Sequence, residues 1–331
     1  MRLLVFIPCY NEAKHLDSVL RCIPKQINGV SGMDILVLDD GSTDDTARVA
    51  NAVEGVKVLR NPTNKGISLT FQKGIAYALE SGYDIAVSID GDGQFSPEEI
   101  PVLVEPILEG QADFVAGSRF VDDSGKPRKR PAHMPPVKYL GNRFGAFILS
   151  RLYKQRFSDV TCGFRAYNRN AMLSLNINNT LTYTQESFQI LARAKLDIVQ
   201  RPVTVTYDPQ RKSRVVKSVG GFIFNSAVGI LRTFRDHEPL RFFGWMGSVL
   251  FIPGVLLDVF LLIHFLNAGR FSPYIFVGFT GAYLKALGIL IWVVGFGADM
   301  QRENRLNQER IIKLLKTNAC KKGTPETDEE N

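Results

Sequence analysis

Over the first two hundred residues, short apolar runs alternate with stretches of helical periodicity. Leu3–Pro8, Ile35–Asp39, Val56–Arg60, Ile85–Asp90, Phe114–Gly117 and Ile198–Thr206 are of strand length and nearly continuous in apolar character. Between them, Glu12–Cys22 sets Ala13, Leu16 and Leu20 on one helical face, a segment from Thr43 turns Val49, Ala50 and Val53 inward, and Leu69–Glu80 forms a third helical pattern. Strands alternating with helices predict an α/β domain, a mostly parallel sheet covered on both faces. Such sheets bind ligands outside the carboxyl ends of their strands.

The pattern breaks near residue 240. Phe242–Leu266 is apolar apart from Asp258 and His264, and Tyr274–Phe296 is apolar apart from Lys285. A helix crosses a bilayer core with about 20 apolar residues. Two helices of a soluble core are the alternative, but soluble helices of this length rarely stay apolar all round. The link Asn267–Pro273 holds a single basic residue, Arg270. The outer flanks hold Arg232, Arg235 and Arg241 before, and Arg302, Arg305, Arg310 and Lys313 after. The positive-inside rule therefore puts both ends in the cytosol. Asp258 and Lys285, inside the spans, are expected to face protein, each other or another subunit. Phe222, Ile223, Ala227, Ile230, Leu231 and Phe234 recur at helical spacing with Arg232 and Arg235 between them. That is an amphipathic helix, either on the cytosolic leaflet or docked on the globular part. The expected organisation is a cytosolic domain over 1–215, a juxtamembrane helix over 216–240, a transmembrane hairpin over 241–298, and a basic helix and tail over 299–331.

Charge sharpens this picture. The 331 residues carry a formal net charge of +7, with basic clusters at Lys126–Arg130, from Arg201 to Arg241, and in the tail. Such clusters suit nucleic acid, an anionic membrane surface or phosphate-bearing substrates. The apolar spans favour the membrane, and no nucleic-acid role is expected. Four cysteines without a CxxC pair fit neither a zinc site nor a disulfide framework. Leu3–Ile7 is too short for the apolar region of a signal peptide, so the N-terminus is expected in the cytosol.

Three polar stretches leave predicted strand ends: Pro8-Cys9-Tyr10-Asn11-Glu12, Asp39-Asp40-Gly41-Ser42-Thr43-Asp44-Asp45-Thr46, and Asp90-Gly91-Asp92-Gly93-Gln94. In the second, Ser42 or Thr43 is placed to cap a helix, and Asp44 and Asp45 suit its positive end. That leaves Asp39 and Asp40 unexplained. The third is either a glycine-rich turn with solvated aspartates or a pair of carboxylates aimed at one hard cation. Their convergence on one sheet edge favours a site. Neither GxGxxG nor GxxxxGK[ST] occurs, so dinucleotide and P-loop chemistry lack support.

Together with NKG at Asn64–Gly66, GSR at Gly117–Arg119 and DVTCGFRAY at Asp159–Tyr167, these stretches resemble the GT-A glycosyltransferases of family 2. Followed by two apolar spans, the chain resembles the polyprenyl-phosphate glycosyltransferases: the dolichyl-phosphate mannose synthases and, by its spans, most of all the bacterial undecaprenyl-phosphate glucosyltransferases.

The resemblance implies a GT-A domain with a Rossmann-like sheet, interface helices and two C-terminal transmembrane helices. It implies a nucleotide sugar, UDP-glucose foremost, held by Pro8, Tyr10, Asn11, Glu12, Asp39, Asp40 and Lys65, with GDP-mannose or a UDP-N-acetylhexosamine as alternatives. Mg²⁺ or Mn²⁺ on the diphosphate would be held by Asp90, Asp92 and Gln94, with Arg119 helping the leaving group. Polyprenyl phosphate would be the acceptor, its phosphate met by Arg165, Arg201, Arg211 and Arg214, with Asp159 and Glu186 positioning it or serving as a weak base. Direct attack by the acceptor phosphate would invert configuration, and the missing QxxRW motif of polysaccharide synthases implies transfer of a single sugar, expected at the cytosolic face of the plasma (inner) membrane. A homo-oligomer, with a tetramer as the first guess, is expected from the family and the polar residues in the spans. The rival class is a nonenzymatic lipid-phosphate-binding scaffold.

Overall fold

The computed structural model describes residues 1–122, 124–177, 183–207, 231–232, 234–236 and 238–322. Arg211, Arg214 and residues 222, 223, 227 and 230 of the expected juxtamembrane helix lie outside the described residues. The chain divides into two units, one of Met1–Val219 with Ile312–Asn331 and one of Gly220–Ile311.

The first unit is built on seven strands: β1 Arg2–Cys9, β2 Gly32–Asp39, β3 Val56–Arg60, β4 Ile85–Ser88, β5 Phe114–Ser118, β6 Arg165–Asn168 and β7 Ile198–Pro202. Their order is β3-β2-β1-β4-β6-β5-β7. All pairings are parallel except those of β6, which runs against both β4 and β5. The expected α/β sheet is therefore present, with one strand the apolar pattern did not predict. β6 begins with the buried Arg165 and spans four residues, too short and too polar to stand out. The β4 ladder stops two residues before Asp90 and the β7 ladder four before Thr206.

Alternation along β1 builds two cores. Leu3, Val5 and Ile7 face one side with α1 (Leu16–Arg21), α2 (Thr46–Asn51) and α4 (Ile100–Leu108). Leu4 and Phe6 face the other with α3 (Ile67–Glu80), α5 (Pro136–Tyr153), α6 (Arg169–Ser174) and α7 (Tyr183–Arg193). Side chains at successive strand positions point to opposite faces, so one apolar strand serves both layers. Each large side chain withdrawn from water contributes about 1.5–3 kcal/mol, and β1, buried from Leu3 to Cys9, lies inside the sheet between β2 and β4.

The second unit contains α8 (Pro239–Ala268), which it holds whole, and most of α9 (Ile275–Lys322). Both are long and apolar enough to cross a membrane. Their large side chains point outward: Trp245 is 77% exposed, Phe276 and Phe279 72%. Helices of a soluble core would hide such residues, so this exposure speaks against that alternative. Gly254 and Gly281 bring the two helices close, since a Cβ on Gly254 would stand 2.8 Å from the Gly281 carbonyl. Lys285 donates to Asp258 across this seam, so the carboxylate and the ammonium inside the spans pair within one hairpin. α9 runs on without a break past Phe296, where a separate basic helix is expected. Its last turns, from Ile312, belong to the first unit, in which Lys313 and Lys316 donate to Asn170 Oδ1 and the Leu175 carbonyl, each at 2.7 Å.

Candidate active site

The direction of β6 gathers the site. Because it is antiparallel, its first residue, Arg165, lies opposite Ser88 of β4 and Ala116 of β5, at their carboxyl ends. Residues 159–164 thus join an edge that already carries the loops leaving β1, β2, β4 and β5, with Arg201 of β7 beside Gly117.

The first two loops are stitched together. Asn11 adopts φ +56°. Its N–H donates to Ser42 Oγ at 2.9 Å, and its Oδ1 accepts from the Thr43 N–H at 2.8 Å. The Glu12 N–H donates to Thr46 Oγ1 at 2.9 Å. Ser42 and Thr43 are thereby used to hold the neighbouring loop and do not cap α2, whose N-cap is Asp45 without a side-chain cap bond. Gly41, at φ +72°, lies so close to residues 63–64 that a Cβ would stand 2.6 Å from the Thr63 carbonyl carbon.

Asp39 and Asp40 are buried and occupied. Asp39 accepts from the Ser42 N–H at 2.9 Å and pairs with Arg60 at 3.1 Å. Asp40 accepts from Asn61 Nδ2, the Lys65 N–H and the Gly66 N–H at 2.8–2.9 Å. Through these bonds both carboxylates shape the rim of the site. Pro8 is likewise buried inside β1, whereas Tyr10 and Asn11 are half-buried and Lys65 is exposed.

Asp90 and Asp92 are half-buried at the end of β4. Asp92 Oδ1 accepts from the Gln94 N–H at 3.0 Å, and the Gln94 carbonyl accepts from the Thr206 N–H at 2.9 Å, tying this loop to the chain after β7. The Asp90 carboxylate rests on Gly163, where a Cβ would fall 2.6 Å from Oδ2. Burial, then the Asp92 charge, push the Asp90 carboxyl up to about 7, against the opposing pull of Arg119 and Arg165. Among the described residues no donor hydrogen-bonds this carboxylate. Two crowded carboxylates with hard oxygens, one strained toward its protonated form, fit a divalent cation. No group of three or more His, Cys, Asp or Glu among the described residues gathers as a cage. Substrate phosphate and water would complete the shell, the usual arrangement for Mg²⁺.

Arg119 is not the open fork the resemblance implies. It is 6% exposed, with Nε 2.7 Å and Nη2 2.9 Å from the two Asp159 oxygens. Nη2 also donates to Thr161 Oγ1 at 2.7 Å, and Nη1 to the Tyr207 hydroxyl at 3.0 Å. Burial alone would raise the Asp159 carboxyl, but the guanidinium outweighs it and holds the carboxyl below the usual range. A depressed, doubly bonded carboxylate is a poor base, so the pair is a rigid floor under the site. Arg165 is a second correction. It is wholly buried, donates to the Cys162 and Val160 carbonyls at 2.6 and 3.2 Å, and lies over the Phe188 ring at 5.1 Å. It anchors the 159–164 loop from below and cannot reach an acceptor phosphate. Arg201 is half-buried at the right edge, and Glu186 half-buried in the first turn of α7.

Three site residues escaped the sequence reading: Thr161, Tyr207 and Lys138. The Lys138 ammonium lies 5.4 Å over the Tyr207 ring. Burial lowers the pKa of Lys138, and Arg119, Asp92, Asp159 and Asp90 are all near enough to act on it. Lys138 stands in no strand-end motif, so only the packing of α5 reveals it.

The family model for glycosyl transferase family 2 matches residues 4–174. An undecaprenyl-phosphate mannosyltransferase of Micrococcus luteus is 30% identical, over 70% of this chain and 93% of that protein. A UDP-N-acetylglucosamine–dolichyl-phosphate N-acetylglucosaminyltransferase of Methanococcus voltae is 28% identical, over 66% of this chain and 91% of that protein. Among solved structures, glucosyl-3-phosphoglycerate synthase of Mycobacterium tuberculosis, in complex with Mn²⁺ and UDP-glucose, aligns with a TM-score of 0.51 at 23% identity, covering 69% of this chain and 78% of that one. That likeness bears on the fold alone.

Proposed function

The chain belongs to glycosyl transferase family 2, and on that premise we propose that it moves one hexose from a nucleotide sugar to a polyprenyl phosphate at a membrane surface. The observation that carries this reading is the crowded Asp90–Asp92 pair at the carboxyl edge of the sheet, in a chain that also bears two membrane-length apolar helices. The relatives named above act on undecaprenyl and dolichyl phosphate, which supports the acceptor class.

In this reading Asp92 and Asp90, with Gln94, hold a Mg²⁺ or Mn²⁺ ion. When bound, that ion offsets the charge gathering on the departing nucleoside diphosphate. Tyr10, Asn11 and Lys65 line the donor end, on a rim shaped by Asp39 and Asp40. The acceptor oxygen attacks the anomeric carbon as the bond to the diphosphate breaks, so configuration inverts. A phosphate monoester has its second pKa near 6 and is already ionised at neutral pH. No side chain need take a proton, which accords with the low basicity of Asp159.

UDP-glucose is the proposed donor. Mannose is the second reading, favoured by the mannosyl specificity of the Micrococcus relative. The test is purified protein with labelled UDP-glucose, GDP-mannose or UDP-N-acetylglucosamine, polyprenyl phosphate and Mn²⁺. One of the three is expected to give a chloroform-soluble sugar-phosphate lipid. Asp92→Ala is expected to lower the rate at least a hundredfold, and wild-type turnover in that variant would remove the cation assignment.

A further inference from the structure

Strand pairing joins the two sides of the sheet at one place. β3, β2, β1 and β4 form one side, β5 and β7 the other, and β6 pairs with both. Its ladders are short, four residues with β4 and three with β5. Yet Arg119, the 159–164 loop, Arg201 and Tyr207 all reach the site on β5, β6 and β7 or the loops that adjoin them. Asp113 ties these strands together at the end remote from the site. Its Oδ1 accepts from Asn168 Nδ2, at the end of β6, at 2.7 Å and from Asn170 Nδ2 at 3.4 Å. Its Oδ2 accepts from the N–H of Asp197, just before β7, at 3.0 Å.

Two lysines of α9 close on this knot. Asn170, which gives its amide nitrogen to Asp113, accepts from Lys313 with its oxygen. Lys316 donates to the carbonyl of Leu175, the C-cap of α6, at 2.7 Å. α6 has six residues, its last carbonyls lack partners within the helix, and a cation is favoured at that end. The two faces of α9 are arranged to match. Lys313 and Lys316 are half-buried, whereas Leu314 and Leu315 are each 63% exposed. Lysines kept for solubility would point the other way.

We infer that the turns of α9 from Ile312 on are a latch on the β5–β6–β7 side of the sheet, with Lys313 and Lys316 as positioning residues that hold the 159–164 loop and Arg119 in place beside the Asp90–Asp92 pair. The consequence for turnover rests on the proposed transfer; the latch itself does not.

The test is deuterium uptake of the detergent-solubilised full chain, read by mass spectrometry for wild type, Lys313→Met with Lys316→Met, the same pair changed to Arg, and Leu314→Gln with Leu315→Gln. The Met pair is expected to speed exchange about tenfold across 159–175 while β1 stays within about twofold, which also shows that the variant is folded. The Arg pair keeps the charge and the donors and is expected to retain most of the protection, and the Gln pair, on the outward face, all of it. In turnover well below the melting temperature, the Met pair should lower kcat about fivefold or more and the Arg pair restore it. Unchanged exchange in the Met pair overturns the inference. So does faster exchange confined to 169–175, which would make the lysines a local contact that does not reach the site. Faster exchange that includes β1, or the same loosening from the Gln pair, overturns it as well, and so does an unchanged kcat in the loosened Met pair. The expected exchange pattern in a wild type that transfers no sugar leaves the latch standing and overturns the proposed activity.

Discussion

Asp90 and Asp92 stand one residue apart with too little counter-charge, and pH reads that crowding directly. The Asp90 carboxyl, at about 7 in the fold, has an unfolded value near 3.9. Folding therefore favours its proton. The stability this group contributes is complete below about pH 4 and is lost as pH rises through 7. A cation that needs the carboxylate must displace that proton below 7. Mn²⁺ affinity, measured calorimetrically between pH 5.5 and 8.5, is expected to rise several-fold per unit up to about 7 and then level off. A flat profile would show that Asp90 is not a ligand. Asp159 obeys the opposite sign, being held low by Arg119. Asp159→Asn leaves a buried guanidinium without its counter-ion, a loss of about 3–5 kcal/mol, which a thermal melt in detergent would detect. Melting within a degree of wild type would mean that the pair is not a structural floor. At this scale the acidic pair was legible from its glycines and its strand. The fates of Arg119 and Arg165 were not, because an arginine written in a motif reads the same whether it faces a ligand or a backbone carbonyl.

Elements were legible where apolar character was continuous and obscure where charge interrupted it. β1, β2, β3 and β5 appear close to their expected bounds. β6 was missed because a buried arginine opens it, although its reversal is what brings residues 159–164 to the site edge. The expected cap at Ser42 or Thr43 failed for a related reason: those groups meet Asn11 across the loop, a long-range contact that local spacing does not encode. In the hairpin, Asp258 and Lys285 were expected to face protein, each other or another subunit, and they pair with each other. Removing one partner strands a charge between two apolar helices, whereas removing both leaves an apolar seam. Asp258→Leu alone is expected to lower the denaturant midpoint of the full chain in detergent, and Asp258→Leu with Lys285→Leu to recover most of the loss. Additive losses in the double variant would show that the pair does not act as a unit.

For the whole molecule, a family 2 transferase fold and two membrane-length helices in one chain are what the proposed transfer to a lipid phosphate rests on. A nucleotide sugar alone would not call for the apolar helices, and a lipid anchor alone would not call for paired carboxylates after β4. The donor sugar was not legible at all, since it is set by a few hydroxyl contacts that neither spacing nor hydrophobic pattern records. The most direct test of the central claim is transfer itself. With Mn²⁺ and polyprenyl phosphate, wild type is expected to turn a labelled nucleotide sugar into a lipid-phosphate sugar of inverted anomeric configuration, and Asp92→Ala to fall at least a hundredfold. The absence of any sugar-lipid from UDP-glucose, GDP-mannose and UDP-N-acetylglucosamine alike would contradict it.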